Sequence, residues 1–166
     1  MKRLETEGIL DNTIVIFFGD HGRPHIRDKQ FLYDGGIHVP MIVRFPGKKQ
    51  AGTVSEALFS LIDLAPSSLA LAGLPIPGNM EGLPLLADKK VRRDFIVAAR
   101  DRCDETVDRI RCIRDRQFKY IRNFYPERPY TQFNSYKERT YPALPVMRKL
   151  HQEGKLTPVQ SLFFAR

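Results

Sequence analysis

Asp20 and His21 stand side by side in a chain of 166 residues, and between them and His38 come Arg23, His25, Arg27, Lys29 and Asp34. A carboxylate and an imidazole on adjacent residues can ligate one divalent metal, and a lysine close by supplies a point charge for an anionic group that is bound or transferred. The plainer alternative is that Asp20 caps a turn and His21 is a partly exposed loop residue. Tyr33-Asp34-Gly35-Gly36 reads as a tight turn whose glycines permit positive φ or close backbone approach.

What positions these residues is an apolar run. Thr13-Ile14-Val15-Ile16-Phe17-Phe18 is β-branched and aromatic with no alternation, as expected of a strand buried on both faces. It ends in Gly19-Asp20-His21-Gly22. In an open parallel α/β sheet the ligand site lies just beyond the carboxyl ends of the strands, so the pair is expected to face a site. The polar connection from Gly22 to Ile37 is long, and such loops in compact domains are usually functional. Met41 to Phe45 forms a second buried strand, closed by the turn signal Pro46-Gly47.

Around this centre the chain reads in order. Residues 1–9 predict a short helix with Gly8 as its breaker. Leu58, Ile62, Leu64, Leu69 and Leu71 recur at near-helical spacing, interrupted by Pro66, which predicts two short helices or one with Pro66 in a first turn. Gly73 to Asp94 is dense in Pro and Gly and carries the basic run Lys89 to Arg93, the composition of a linker. Three strand-forming runs come next, at 95–99, 109–114 and 118–122, and their alternation predicts an antiparallel meander. Residues 124–141, rich in aromatics and proline, are expected to be irregular. Leu144 to Gly154 predicts a helix with Met147, Leu150 and Val146 inward, and Ser161 to Arg166 is an apolar run with no helix stop.

Composition narrows the partners. The net charge is +8, from 27 Lys and Arg against 19 Asp and Glu, but the basic residues are interleaved with acids and match no nucleic-acid-binding module. An anionic small molecule or polysaccharide suits this charge equally well. No stretch approaches the roughly 20 apolar residues of a membrane helix. Cys103 and Cys112 are too few for a disulfide framework and match no C-x-x-C spacing, so free buried thiols are expected.

The run T-I-V-I-F-x-G-D-H-G, followed by K-x-x-x-Y-D-G-G-I-x-V-P-x-I-V-R-x-P-G, resembles the type I sulfatases of the alkaline phosphatase superfamily. The segments SLIDLAPSSLALAG and EGLPLL resemble the stretch on the C-terminal side of this motif in sulfatases, and RDRCDETVDRIRCIRDRQFKYIRNF resembles their smaller C-terminal subdomain. The resemblance implies an α/β fold: the C-terminal part of an alkaline-phosphatase-like parallel sheet sandwiched by helices, over 1–80, a linker at 81–93, and an incomplete antiparallel α+β subdomain over 94–166. It implies that Asp20 and His21 are two ligands of a divalent metal, usually calcium. Many members have Asn in place of His21, and calcium prefers oxygen, so His21 leaves the metal open. Lys29 matches the lysine that contacts the sulfate. His25 is placed to give a proton to the leaving oxygen or to touch substrate, with a surface histidine as the alternative. His38 is expected to pack and hydrogen-bond, Arg23 and Arg27 to solvate the loop, and Arg100, Arg102, Asp104 and Glu105 either to line a cleft or to form surface ion pairs. The implied partner is a sulfated small molecule or glycan, and the family implies a periplasmic or secreted setting.

Sulfatases use a formylglycine nucleophile made from the Cys or Ser that opens C/S-x-P-x-R, and no Cys or Ser of this chain begins such a run. The sequence therefore reads as the C-terminal portion of a sulfatase, inactive alone. Two rivals stand beside it: a phosphate or phosphonate ester hydrolase of the same superfamily, and a non-catalytic anion-binding remnant.

Overall fold

The computed structural model describes residues 1–88 and 90–165. Lys89 of the basic run and Arg166 of the terminal run lie outside the described residues. Helix α1 (Lys2–Thr6) stops at Gly8, whose φ of +68° is available at little cost to a residue without Cβ. A single 3-10 turn, Leu10–Asn12, then feeds strand β1 (Val15–Phe18).

The long connection after β1 contains one short helix, α2 (Asp34–Ile37). Strand β2 (Met41–Arg44) pairs with β1 antiparallel, Val15 opposite Arg44 and Phe18 opposite Met41. Gly19 donates its N–H to the Pro40 carbonyl at 3.0 Å. The connection thus leaves and re-enters at the same end of the strand pair, which makes it a wide hairpin loop and not a parallel crossover. Burial on both faces is not found. Phe17 and Ile42, register partners on one face, are each 65% exposed, because β1 and β2 pair only with each other among the described residues. An unalternating apolar run shows what a strand is suited to pack against; it does not itself supply the covering layer.

A 3-10 turn at Leu61–Asp63 leads into helix α3 (Leu64–Leu71), with Pro66 in the first turn, where its missing N–H costs no bond. Asp63 closes a capping box with Ser60 and is fully buried. Its carboxylate also accepts from the Leu83 N–H at 2.8 Å and pairs with Arg93. The proline-rich segment after α3 is therefore fastened back onto the start of that helix.

The predicted meander is present as β3 (Ile96–Cys103), β4 (Thr106–Arg114) and β5 (Lys119–Asn123), antiparallel in that order. On β4 alternate residues Thr106, Asp108, Ile110 and Cys112 point inward. Both cysteines are free. The region expected to be irregular holds helix α4 (Ser135–Thr140), and after it come α5 (Ala143–Gln152) and α6 (Pro158–Ser161). Leu144 is the fully buried contact of α5, while Val146 faces out.

The core has two clusters, and the loop between β1 and β2 enters both. Phe31 and Leu32 pack with Ile110 and Cys112 of the meander. Ile26 packs with Tyr141 and Leu144. A segment that reads as a polar connection is thus the apolar joint between the β1–β2 end and the residues after β3.

Candidate functional site

The site is built on that loop, and three glycines set its backbone. Gly22 donates its N–H to the Gly36 carbonyl at 3.0 Å, and Arg23 donates to that of Gly35 at 3.2 Å. A Cβ on Gly22 would overlap the Gly35 carbonyl, one on Gly36 the carbonyls of Phe31 and Asp28, and one on Gly35 the Asp28 carboxylate. The glycines of the Asp-His-Gly and Asp-Gly-Gly runs are needed because the two stretches lie backbone to backbone. Lys29 is then placed by its own N–H, which donates to the Arg23 carbonyl at 2.9 Å. Gln30 turns the chain at a φ of +78° between Lys29 and Phe31, and Phe31 enters the core.

Tyr33 and Asp34 secure the far end. The Tyr33 and Tyr130 hydroxyls share a hydrogen bond, and burial together with that bond pushes the Tyr33 phenol up to about 12. Asp34, the first residue of α2, is 2.9 Å from Lys119 Nζ and 3.3 Å from Arg114 Nη1. The hydrogen bond from Lys119 holds its carboxyl below the usual carboxylate range.

Asp20 and His21 project from the end of β1, the Asp20 side chain 81% and the His21 side chain 47% exposed. His21 Nδ1 lies 2.9 Å from the Gly22 carbonyl oxygen. A carbonyl only accepts, so Nδ1 is the donor here, and when the ring is neutral the lone pair is on Nε2. That Nε2 is 3.6 Å from Asp20 Oδ1. An imidazole lone pair facing a carboxylate oxygen at this separation suits one cation shared between them, and the mixed nitrogen–oxygen donor set fits a divalent metal. Two donors are only part of a coordination shell, and among the described residues no group of three or more His, Cys, Asp or Glu converges.

Lys29 is drawn to a residue outside the loop. Its Nζ donates to Tyr136 Oη of α4 at 3.0 Å and sits 4.7 Å from the centroid of that ring. Among the described residues no hydrogen bond or ion pair joins Lys29 to Asp20, His21 or His25. His25, His38, Arg23 and Arg27 are exposed. Arg23 pairs with Asp28 at 3.3 Å, and the Arg27 guanidinium lies 4.4 Å over the Tyr33 ring.

Sequence reasoning missed α4. Lys137 is 3% exposed; its Nζ donates to the Ile26 carbonyl at 3.2 Å and lies 4.6 Å from the Phe31 ring centroid. Burial, reinforced by Arg100, lowers its pKa to about 8. The turn between β3 and β4 holds this helix in place. Asn134, itself 1% exposed, caps α4 by accepting from the Lys137 N–H and donates to the Cys103 carbonyl at 3.1 Å. Glu105 accepts from the Ser135 N–H at 2.6 Å, and Thr106 donates to the Phe133 carbonyl. Glu105 therefore grips α4, and the Asp104 carboxylate accepts from Asn134 Nδ2 at 3.5 Å; among the described residues neither acid forms an ion pair. Arg102 donates to the Asp104 carbonyl at 2.5 Å. Arg100, 7% exposed, lies over the Phe31 ring and 3.6 Å from the buried Asp108. The available signal for α4 was Asn134 followed by Ser-Tyr-Lys-Glu, an N-cap residue ahead of an acid.

The architecture is that of known proteins. Over 92% of the chain and 37% of the other, the fold superposes with a TM-score of 0.62 and 22% identity on a solved structure described as being in complex with its substrate D-glucosamine-2-N,6-O-disulfate. Residues 1–74 match the sulfatase family model. The chain is 42% identical, over 99% of its length, to an ulvan-active sulfatase of Formosa agariphila. It is 39% identical over 82 residues to human arylsulfatase K and 36% identical over 92 residues to an N-acetylglucosamine-6-O-sulfatase of Bacteroides thetaiotaomicron, stretches that cover 47% and 51% of this chain and 15% and 16% of those proteins. The chain belongs to the sulfatase family. It spans 28% of the length of the Formosa protein.

Proposed function

We propose that this chain contributes to the site of a sulfuric ester hydrolase, with Lys29 as a sulfate-binding residue and Asp20 and His21 as two ligands of a divalent metal, most simply calcium. The observation that carries the reading is that the Asp20-His21 pair and Lys29 are held by one glycine-locked loop, linked by the Gly22–Gly36, Arg23–Gly35 and Lys29–Arg23 backbone bonds. The metal would supply charge compensation on the sulfate oxygens. Lys29 offers an ammonium with N–H groups beyond the one given to Tyr136, and His25, exposed on the same loop, is within reach of a leaving oxygen to which it gives a proton. The substrate is a sulfated small molecule or glycan. The loop belongs to a part over 1–80 that carries these residues, and α4 to a subdomain over 94–166, with 81–93 between them.

A sulfatase also needs its formylglycine nucleophile, and the 166 residues contain no C/S-x-P-x-R run from which to make one. Turnover of a sulfate ester by this chain alone is therefore expected to be nil, and a coding sequence upstream that carries the motif is expected to restore it. The metal assignment is tested by calcium and manganese titration of the full-length protein and of its Asp20→Ala variant. Loss of binding in the variant supports the assignment; equal binding by the two proteins defeats it.

A further inference from the structure

Helix α4 meets the loop through two adjacent side chains that approach from a distance in sequence. Tyr136 Oη and Lys29 Nζ are 107 positions apart and 3.0 Å from each other. An ammonium has no acceptor, so the phenol oxygen accepts from Lys29 and its own hydrogen is left to donate elsewhere. Next to it, Lys137 Nζ donates to the Ile26 carbonyl, three residues before Lys29. The helix bearing both is fixed by Asn134, Glu105 and Thr106, and the Tyr136 ring rests edge-on against Tyr141, with centroids 5.9 Å apart. A phenol held this firmly beside a lysine, with a free hydrogen, forms half of an anion clamp.

We propose that Tyr136 is the second hydrogen-bond donor of the sulfate-binding position, its O–H acting with the remaining N–H groups of Lys29 on the sulfate oxygens, while Lys137 is a positioning residue that holds α4 against the loop. The proposal rests on the reading of Lys29 as a sulfate-binding lysine. The Lys29 ammonium also holds the Tyr136 phenol below its ordinary pKa, which makes it a better donor to an anion.

The test is titration of the whole chain with inorganic sulfate, followed by nuclear magnetic resonance, for the unsubstituted protein and for Lys29→Met, Tyr136→Phe and Lys137→Met. Tyr136→Phe keeps the ring and its packing and removes only the hydroxyl. It is expected to weaken sulfate binding about tenfold, the worth of one hydrogen bond to a charged group. Lys29→Met is expected to abolish binding and to return the Tyr136 titration to its ordinary range. Unchanged or tighter binding in Tyr136→Phe, with binding lost in Lys29→Met, refutes the role of Tyr136 and leaves the Lys29 reading intact. Equal binding with and without Lys29, or no binding by the unsubstituted chain, refutes the Lys29 reading and this proposal with it. For Lys137→Met, the amide hydrogens of Lys29 and Phe31 are expected to exchange faster than those of the meander. A uniform rise over the whole chain would show a merely structural role.

Discussion

The ammonium of Lys137 lies 3.2 Å from the carbonyl oxygen of Ile26, in a space bounded by the Phe31 and Tyr141 rings. A buried cation that meets one neutral carbonyl, two aromatic faces and the neighbouring charge of Arg100 pays for its desolvation in stability. Its folded pKa of about 8 is below the ordinary 10.5. Between those two values the unfolded chain holds a proton that the folded chain has lost, so stability rises with pH across that window. The full effect is about 3 kcal/mol at most. Urea unfolding at pH 7.5 and pH 10.5 is expected to show the rise in the unsubstituted chain and its disappearance in Lys137→Met.

Gly22 and Gly36 are closed in by backbone, which cannot rotate away. Gly22→Ala and Gly36→Ala are each expected to lower stability by about 3 kcal/mol or more, through overlap with the Gly35, Phe31 and Asp28 carbonyls. Gly35→Ala meets the Asp28 side chain instead, which can swing aside at the expense of its pairing with Arg23. A smaller loss is expected there. Chemical denaturation of the three variants gives the ranking, and a Gly35→Ala that is the least stable would contradict it.

Asp63 is fully buried and serves Ser60, Leu83 and Arg93 together. Asp63→Ala leaves the Arg93 cation and two N–H groups without their acceptor, and is expected to cost about 3–5 kcal/mol. Proteolysis offers a second measurement: cleavage within 82–88 should become faster, because the carboxylate fastens that segment to the start of α3 together with Ser67, which bonds Leu83 and Leu86.

Asp34 gives the acid limb. Its carboxyl is held low by Lys119 and Arg114, so it contributes stability above its unfolded pKa and loses it as pH falls through the folded value. The side chain is 54% exposed, and solvent screening limits the contribution to about 1 kcal/mol. Asp34→Asn is expected to lower the thermal midpoint slightly at pH 7 and not at all at a pH below both values.

The meander could be read in the sequence because alternation along β4 and β5 is a local pattern, and Asp20-His21 because an apolar run ends on them. The burial of the loop could not. Ile26, Phe31 and Leu32 are scattered among charges with no helical or strand period, and what they fill is shaped by Ile110, Cys112, Tyr141 and Leu144, far along the chain. For the same reason nothing near Lys29 points to Tyr136. The side chains of Phe17 and Ile42 illustrate the opposite failure: their type predicts burial, yet burial depends on a neighbouring layer that no strand encodes for itself.

The loop backbone is closed to change by its glycines, whereas the partner of Lys29 arrives on a separate six-residue helix, anchored through Asn134 and the β3–β4 turn. A substitution at Tyr136 that retained Asn134 and Lys137 would alter the surroundings of the lysine without rebuilding the strand end. For anyone re-engineering this scaffold, the Tyr136 position is the exchangeable part, and the loop it touches is the fixed mount.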